Sequence, residues 1–259
     1  MINNNPIGLF DSGIGGTSIW KEIHELLPNE DTLYLADSKN APYGQKSKEE
    51  IIHLSIKNTE FLLNENAKLI VVACNTATTN AIKELRANYD VPFIGIEPAI
   101  KPAALNSQQK VIGILATQGT LNSSLFHETA EKFQDTRIIE QIGHGLVPLI
   151  ENGAIYSDEI NKLLHEYLEP MIMANIDYLV LGCSHYPYLI PQIKRILPPH
   201  IKIIDSGEAV AKQTKKILEE TVGLSDPFKK GNPIFYTNSN PTVLKSILNH
   251  PYLVLEKDF

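Results

Sequence analysis

Short apolar runs rich in β-branched and aromatic residues punctuate this chain, with segments of helical period between them. The runs are Ile7 to Phe10, Thr32 to Ala36, Leu69 to Ala73, Phe93 to Ile96, Val111 to Leu115, Thr136 to Ile139, Tyr178 to Gly182, Ile201 to Ile204 and Pro233 to Tyr236. Strands paired in parallel need a crossover long enough to hold a helix, so the alternation predicts an α/β fold built on mostly parallel sheets. Between the first two runs, Ile19, Trp20, Ile23, Leu26 and Leu27 lay one apolar stripe along a crossover helix that Pro28 ends. Ser47, followed three residues later by Glu50, reads as a capping box opening the next helix. At 259 residues the chain suits one large domain or two small ones.

Two self-matches favour two. Ile7-Gly8-Leu9-Phe10-Asp11 resembles Ile112-Gly113-Ile114-Leu115-Ala116, and Leu69-Ile70-Val71-Val72-Ala73-Cys74-Asn75-Thr76 lines up with Tyr178-Leu179-Val180-Leu181-Gly182-Cys183-Ser184-His185. Similar separation and the same order suggest two related α/β halves. Each half offers a cysteine just past the carboxyl end of a buried strand, where open α/β sheets hold ligands.

Composition narrows the function classes. With 43% hydrophobic and 20% charged residues the chain is globular rather than disordered. A net charge of −7 without a basic run argues against a sequence-independent grip on nucleic acid. The longest apolar stretches fall far short of the ~20 residues of a membrane helix. The N-terminus lacks the basic flank and apolar core of a signal peptide, so a cytoplasmic location is expected. A reducing compartment disfavours a disulfide between the two cysteines, Cys74 and Cys183.

A structural thiol usually sits inside an apolar run, whereas each of these follows one and precedes two hydrogen-bonding residues. Both read as presented to a cleft. A helix starting after Cys74 would lend its amides and dipole to a thiolate, and the expectation is a pKa below the free value of ~8.5. The bland alternative is a pair of inert packed thiols. A metal site is disfavoured because Cys183-Ser184-His185 lacks ligand spacing. The loop Asp11-Ser12-Gly13-Ile14-Gly15-Gly16-Thr17 has neither dinucleotide nor P-loop spacing, but its amides could meet a carboxylate. Asp11 on its own reads as a helix cap. Asn75, Thr76, Thr117 and Ser184 add neutral donors, and these loops contain no Lys or Arg, so a small anionic ligand would fit. Glu151, taken alone, is a solvated carboxylate, and a lone His185 is more often structural.

Five motifs in order resemble the cofactor-independent aspartate/glutamate racemase superfamily, and within it the glutamate racemases. They are Gly8-Leu9-Phe10-Asp11-Ser12-Gly13-Ile14-Gly15-Gly16, Tyr34-Leu35-Ala36-Asp37 with Pro42-Tyr43-Gly44, Ala73-Cys74-Asn75-Thr76-Ala77, Val147-Pro148-Leu149-Ile150-Glu151, and Leu181-Gly182-Cys183-Ser184-His185-Tyr186-Pro187. Ser184 departs from the usual Thr and keeps the hydroxyl. The resemblance implies two pseudo-symmetric α/β domains, 1–97 with 207–259 and 98–206, around a central cleft. It implies Cys74 and Cys183 as acid/base catalysts on opposite faces of the substrate Cα, with Asp11 assisting Cys74, and Glu151 and His185 assisting Cys183. Substrate contacts would come from Asp11, Ser12, Tyr43, Gly44, Asn75, Thr76, Thr117, Ser184 and His185. It further implies glutamate as a small-molecule substrate, no cofactor or metal, a homodimer as the candidate assembly, and D-glutamate for peptidoglycan as the product. Rival readings are an aspartate racemase or related isomerase, a cysteine hydrolase with Cys183 as nucleophile and His185 as base, and a non-catalytic two-lobed binder of amino acids.

Overall fold

The computed structural model describes residues 2–259. Ten strands form two sheets: β1 (Ile7–Asp11), β2 (Thr32–Ala36), β3 (Leu69–Val72), β4 (Phe93–Gly95), β5 (Val111–Ala116), β6 (Arg137–Ile142), β7 (Tyr178–Gly182), β8 (Lys202–Ile204), β9 (Pro233–Thr237) and β10 (Leu253–Glu256). The six-stranded sheet runs β10-β9-β2-β1-β3-β4 and the four-stranded sheet β6-β5-β7-β8. Every pairing between these strands is parallel. The order β2-β1-β3-β4 repeats as β6-β5-β7-β8, so the matched sequence runs occupy equivalent strands, β1 with β5 and β3 with β7. The pair β9-β10 has no counterpart and extends the first sheet beyond β2.

Helices cover both faces of each sheet, which is why the central strands β1, β2 and β3 are buried along their whole length and read as unbroken apolar runs. The first crossover helix, Thr17–Leu26, buries Ile19, Trp20 and Ile23, and the Trp20 indole donates to Thr32 Oγ1 at 2.9 Å. Helix Gly207–Ile217 packs against it, returning the chain from the second sheet to the first. The capping box forms as expected, with Ser47 Oγ accepting from the Glu50 amide and Glu50 accepting from the Ser47 amide. One apolar cluster runs continuously from Leu9 and Trp20 through Leu146 and Leu181 to Val210 and Phe235, joining the two sheets over a shared core.

Two strands differ from the sequence reading. β6 continues to Ile142 through Glu140 and Gln141, which interrupt the apolar run but are tolerated at a sheet edge. β10 is a further strand, an edge element in which only Val254 is buried, so it lacks the apolar signature of the central strands.

Candidate active site

The loops that follow β1 and β3 meet those that follow β5 and β7, and the predicted site residues converge there. Cys74 is the N-cap of helix Asn75–Asn88, and its sulfur accepts from the Ala77 amide at 3.4 Å. Asp11 ends the neighbouring strand, fully buried. Its Oδ2 accepts from the amides of Gly13 (3.2 Å) and Gly16 (2.9 Å), and its Oδ1 from the Ser184 hydroxyl at 3.1 Å across the cleft. Asp11 therefore folds its own loop, while the helix beginning at Thr17 has no side-chain cap. Burial raises the Asp11 pKa, a rise opposed by the charge of His185 and by the Gly16 amide.

The expected lowering of the Cys74 pKa is corrected by the structure. Burial and the adjacent Asp11 carboxylate push the thiol well above its ordinary value, outweighing the amides of Ala77 and Ser12. A helix N-terminus favours a thiolate only modestly, whereas removing it from water beside a negative charge opposes it more strongly.

Cys183 follows β7, and its sulfur lies 3.7 Å from His185 Nδ1. The other ring nitrogen, Nε2, is 2.5 Å from Glu151 Oε1. Burial alone would lower the His185 pKa, but hydrogen bonds with Cys183 and Glu151, and the charge of Asp11, carry it well above the usual value. Glu151, at the end of helix Leu146–Glu151, is not the solvated carboxylate that its sequence position suggests. Its side chain is only 12% exposed, and it also accepts from the Ile14 amide at 2.7 Å and the Ser38 hydroxyl at 2.9 Å. The glycines of the first loop permit this approach: a Cβ on Gly13 would lie 1.9 Å from Glu151 Oε1, and one on Gly15 2.2 Å from His185 Nδ1.

Both cysteines open onto one narrow cavity. Ser12, Tyr43, Gly44, Asn75, Thr76, Thr117, Ser184 and His185 also line it, whereas Asp11 and Glu151 stand behind the wall. Asp11, expected also to touch substrate, has its carboxylate engaged by the three donors described above. Tyr43 presents its ring, because its hydroxyl is 2.5 Å from Asp37 Oδ2 and accepts from Asn58 Nδ2 at 3.1 Å. Thr76 and Thr117 hydroxyls meet across the cleft at 2.8 Å, with Thr120 within 3.3 Å of both. The lining holds no Lys or Arg. Both polar atoms of the buried Asn75 carboxamide lack a protein partner, an arrangement that normally costs about 1–3 kcal/mol per group and is relieved by a polar ligand.

Sequence reasoning missed roles for Pro42 and Val147, which line the cavity, and for Ser38, Asp37 and Thr120, which brace it. Pro42, Val147 and Asp37 fell within quoted motifs, but nothing in their own chemistry marked them. Among the described residues no group of His, Cys, Asp or Glu is arranged to hold a metal, and no helix is long and apolar enough to cross a membrane.

Comparison with known proteins agrees with this architecture. The Asp/Glu/Hydantoin racemase family model matches residues 7–214. The glutamate racemase of Ectopseudomonas mendocina (strain ymp) is 47% identical over 215 residues, covering 82% of each chain. The crystal structure of glutamate racemase isoform RacE1 from Bacillus anthracis superposes with a TM-score of 0.89 at 28% identity, covering 99% of this chain and 98% of that one. The Escherichia coli glutamate racemase, solved in complex with L-glutamate and the activator UDP-MurNAc-ala, gives 0.86 at 33% identity, with 98% of each chain covered. By family match, by identity over most of its length and by fold, this chain belongs to the Asp/Glu/hydantoin racemase family and, within it, to the glutamate racemases.

Proposed function

We propose that this protein interconverts L- and D-glutamate by moving protons at Cα between two thiols, without an added cofactor. The observation that carries the reading is the pair of buried cysteines at equivalent strand ends, opening onto one small cavity lined by neutral donors. Racemisation needs a base on one face of Cα and an acid on the other, and two groups of one type exchange these roles between directions.

From L-glutamate, the Cys183 thiolate takes the α-proton, and the electron pair left on Cα takes the proton of the Cys74 thiol, giving D-glutamate, a Cys183 thiol and a Cys74 thiolate. From D-glutamate the roles reverse. Asp11 supports Cys74, while His185 and Glu151 support Cys183. Ser12, Asn75, Thr76, Thr117 and Ser184 hold the substrate's polar groups with the Gly44 loop, stabilising negative charge that develops in a largely dry site. Division into 1–97 with 207–259 and 98–206 gives each half one thiol. In the cell the product would be D-glutamate for peptidoglycan. A cysteine hydrolase would leave Cys74 idle, and a non-catalytic binder would have no use for opposed thiols.

The test is isotopic. In deuterated water, product formed early from one enantiomer carries deuterium at Cα, while the remaining substrate stays protiated, because each thiol holds a single proton. Protein dialysed against a chelator keeps this activity and turns over aspartate far more slowly than glutamate. Deuterium entering recovered substrate as fast as product forms would remove the two-thiol reading, and a faster aspartate reaction would reassign the substrate.

A further inference from the structure

Glu151 belongs to the four-stranded half, yet the six-stranded half supplies much of its support. Its Oε1 accepts from the Ile14 amide and its Oε2 from the Ser38 hydroxyl, while His185 Nε2 binds from its own half. We propose that Ser38 is a positioning residue that makes proton transfer at Cys183 conditional on closure of the two halves, by holding the Glu151 carboxylate against His185 only when the cleft is shut. The inference rests on the assignment of Cys183 as an acid/base group.

The chain is built to present Ser38 firmly. It opens the turn Ser38–Asn40 directly after Asp37, whose fully buried carboxylate receives Asn40 Nδ2 at 2.7 Å and Asn238 Nδ2 at 2.5 Å and contacts the Tyr43 hydroxyl. The Ser38 hydroxyl thus projects from an anchored backbone rather than a mobile loop tip. When the halves part, Glu151 loses both cross-cleft donors and rehydrates, and His185 loses the fixed acceptor that aims Nδ1 at the Cys183 sulfur. The Cys74 side has less dependence on closure. Asp11 is held mainly by the amides of its own loop, and only Ser184 reaches it from across the cleft. One thiol is therefore assembled within its half and the other across the seam.

The test uses α-protiated and α-deuterated glutamate of each configuration. From L-glutamate the label leaves to Cys183, and from D-glutamate to Cys74. In Ser38→Ala, kcat/KM falls about tenfold in both directions, as loss of a hydrogen bond to a charged group predicts. The isotope effect on kcat/KM then grows for labelled L-glutamate and shrinks for labelled D-glutamate, because the Cys183 step has become the slower one. Ser38→Thr keeps the hydroxyl and restores both values. Gly13→Ala, whose methyl would occupy the space of Glu151 Oε1, displaces the carboxylate without touching Ser38 and reproduces the split. If Ser38→Ala fails to fold, Ser38→Cys, close in size but a weak donor, is read by the same isotope effects. Unchanged rates, or isotope effects that move together for both enantiomers, overturn the inference while leaving the racemase reading intact. Failure of the unsubstituted protein to racemise glutamate overturns both.

Discussion

The two cysteines sit at equivalent strand ends, but an acid, Asp11, stands beside one and a base, His185, beside the other. Cys74 has the buried Asp11 beside it and helix amides in front, and burial with the Asp11 charge pushes its pKa up. Cys183 has the His185 ring 3.7 Å away, backed by Glu151, and hydrogen bonds to both raise the pKa of that ring. A repeated fold thus places two identical sulfurs symmetrically, and unequal supports surround them. A two-base racemase needs one thiolate and one thiol in each direction, with the two roles exchanged between directions.

The comparison breaks most directly at the sulfurs. Cys74→Ser and Cys183→Ser should each fold and each lose racemisation by about a thousandfold or more, since a serine hydroxyl is too weak an acid to replace a thiol. Near-normal turnover in either, followed by optical rotation, would remove that side from the mechanism. His185→Asn comes next, with an expected loss of about a hundredfold, larger than that of Asp11→Asn, because it deletes both the ring beside the Cys183 sulfur and the link to Glu151. Equal losses in the two variants would mean that the supports are equivalent after all.

A third measurement sharpens the contrast through stability. Asp11 has a raised pKa in the folded chain, so it binds its proton more tightly folded than unfolded. Its contribution is complete below the ordinary carboxylate range, at about pH 4, and is lost as pH rises through the folded value. Asp11→Asn should therefore melt a few degrees above the parent at pH 7, with the gap closing below about pH 4. A lower melting temperature at neutral pH would show that the carboxylate is better solvated by its amides than burial suggests. The smallest effect on activity is expected for Tyr43→Phe, which keeps the ring at the cavity but leaves Asp37 short of a donor. Denaturant unfolding should show a loss of about 1–3 kcal/mol with kcat altered only modestly.

Strand pattern and motif order exposed most of the architecture and both thiols, because buried parallel strands and their C-terminal loops leave strong local signatures. What escaped was set by tertiary contact. Glu151 looks solvated from its position after Ile150, and only the fold brings Ile14, Ser38 and His185 around it. The helix after Cys74 was legible, but the direction of its pKa shift was not, since burial and the Asp11 charge arise from strand neighbours distant in sequence. β10 passed unnoticed because an edge strand exposes most of its residues.

The late pairing of β9 beside β2 has a consequence for how the molecule is made. During synthesis the four-stranded sheet is complete once Ile204 has emerged, while β2, buried along its whole length in the finished protein, still lacks its partner on one side. Such an unpaired edge invites the wrong neighbour, and chains are released N-terminus first. Asn238, which fastens Asp37 and through it the Tyr43 turn, is translated just after β9. A nascent chain halted soon after Ile204 would already hold both thiols and every residue of the cavity wall, and would still be without one of the ties that hold the wall's Tyr43 corner in place.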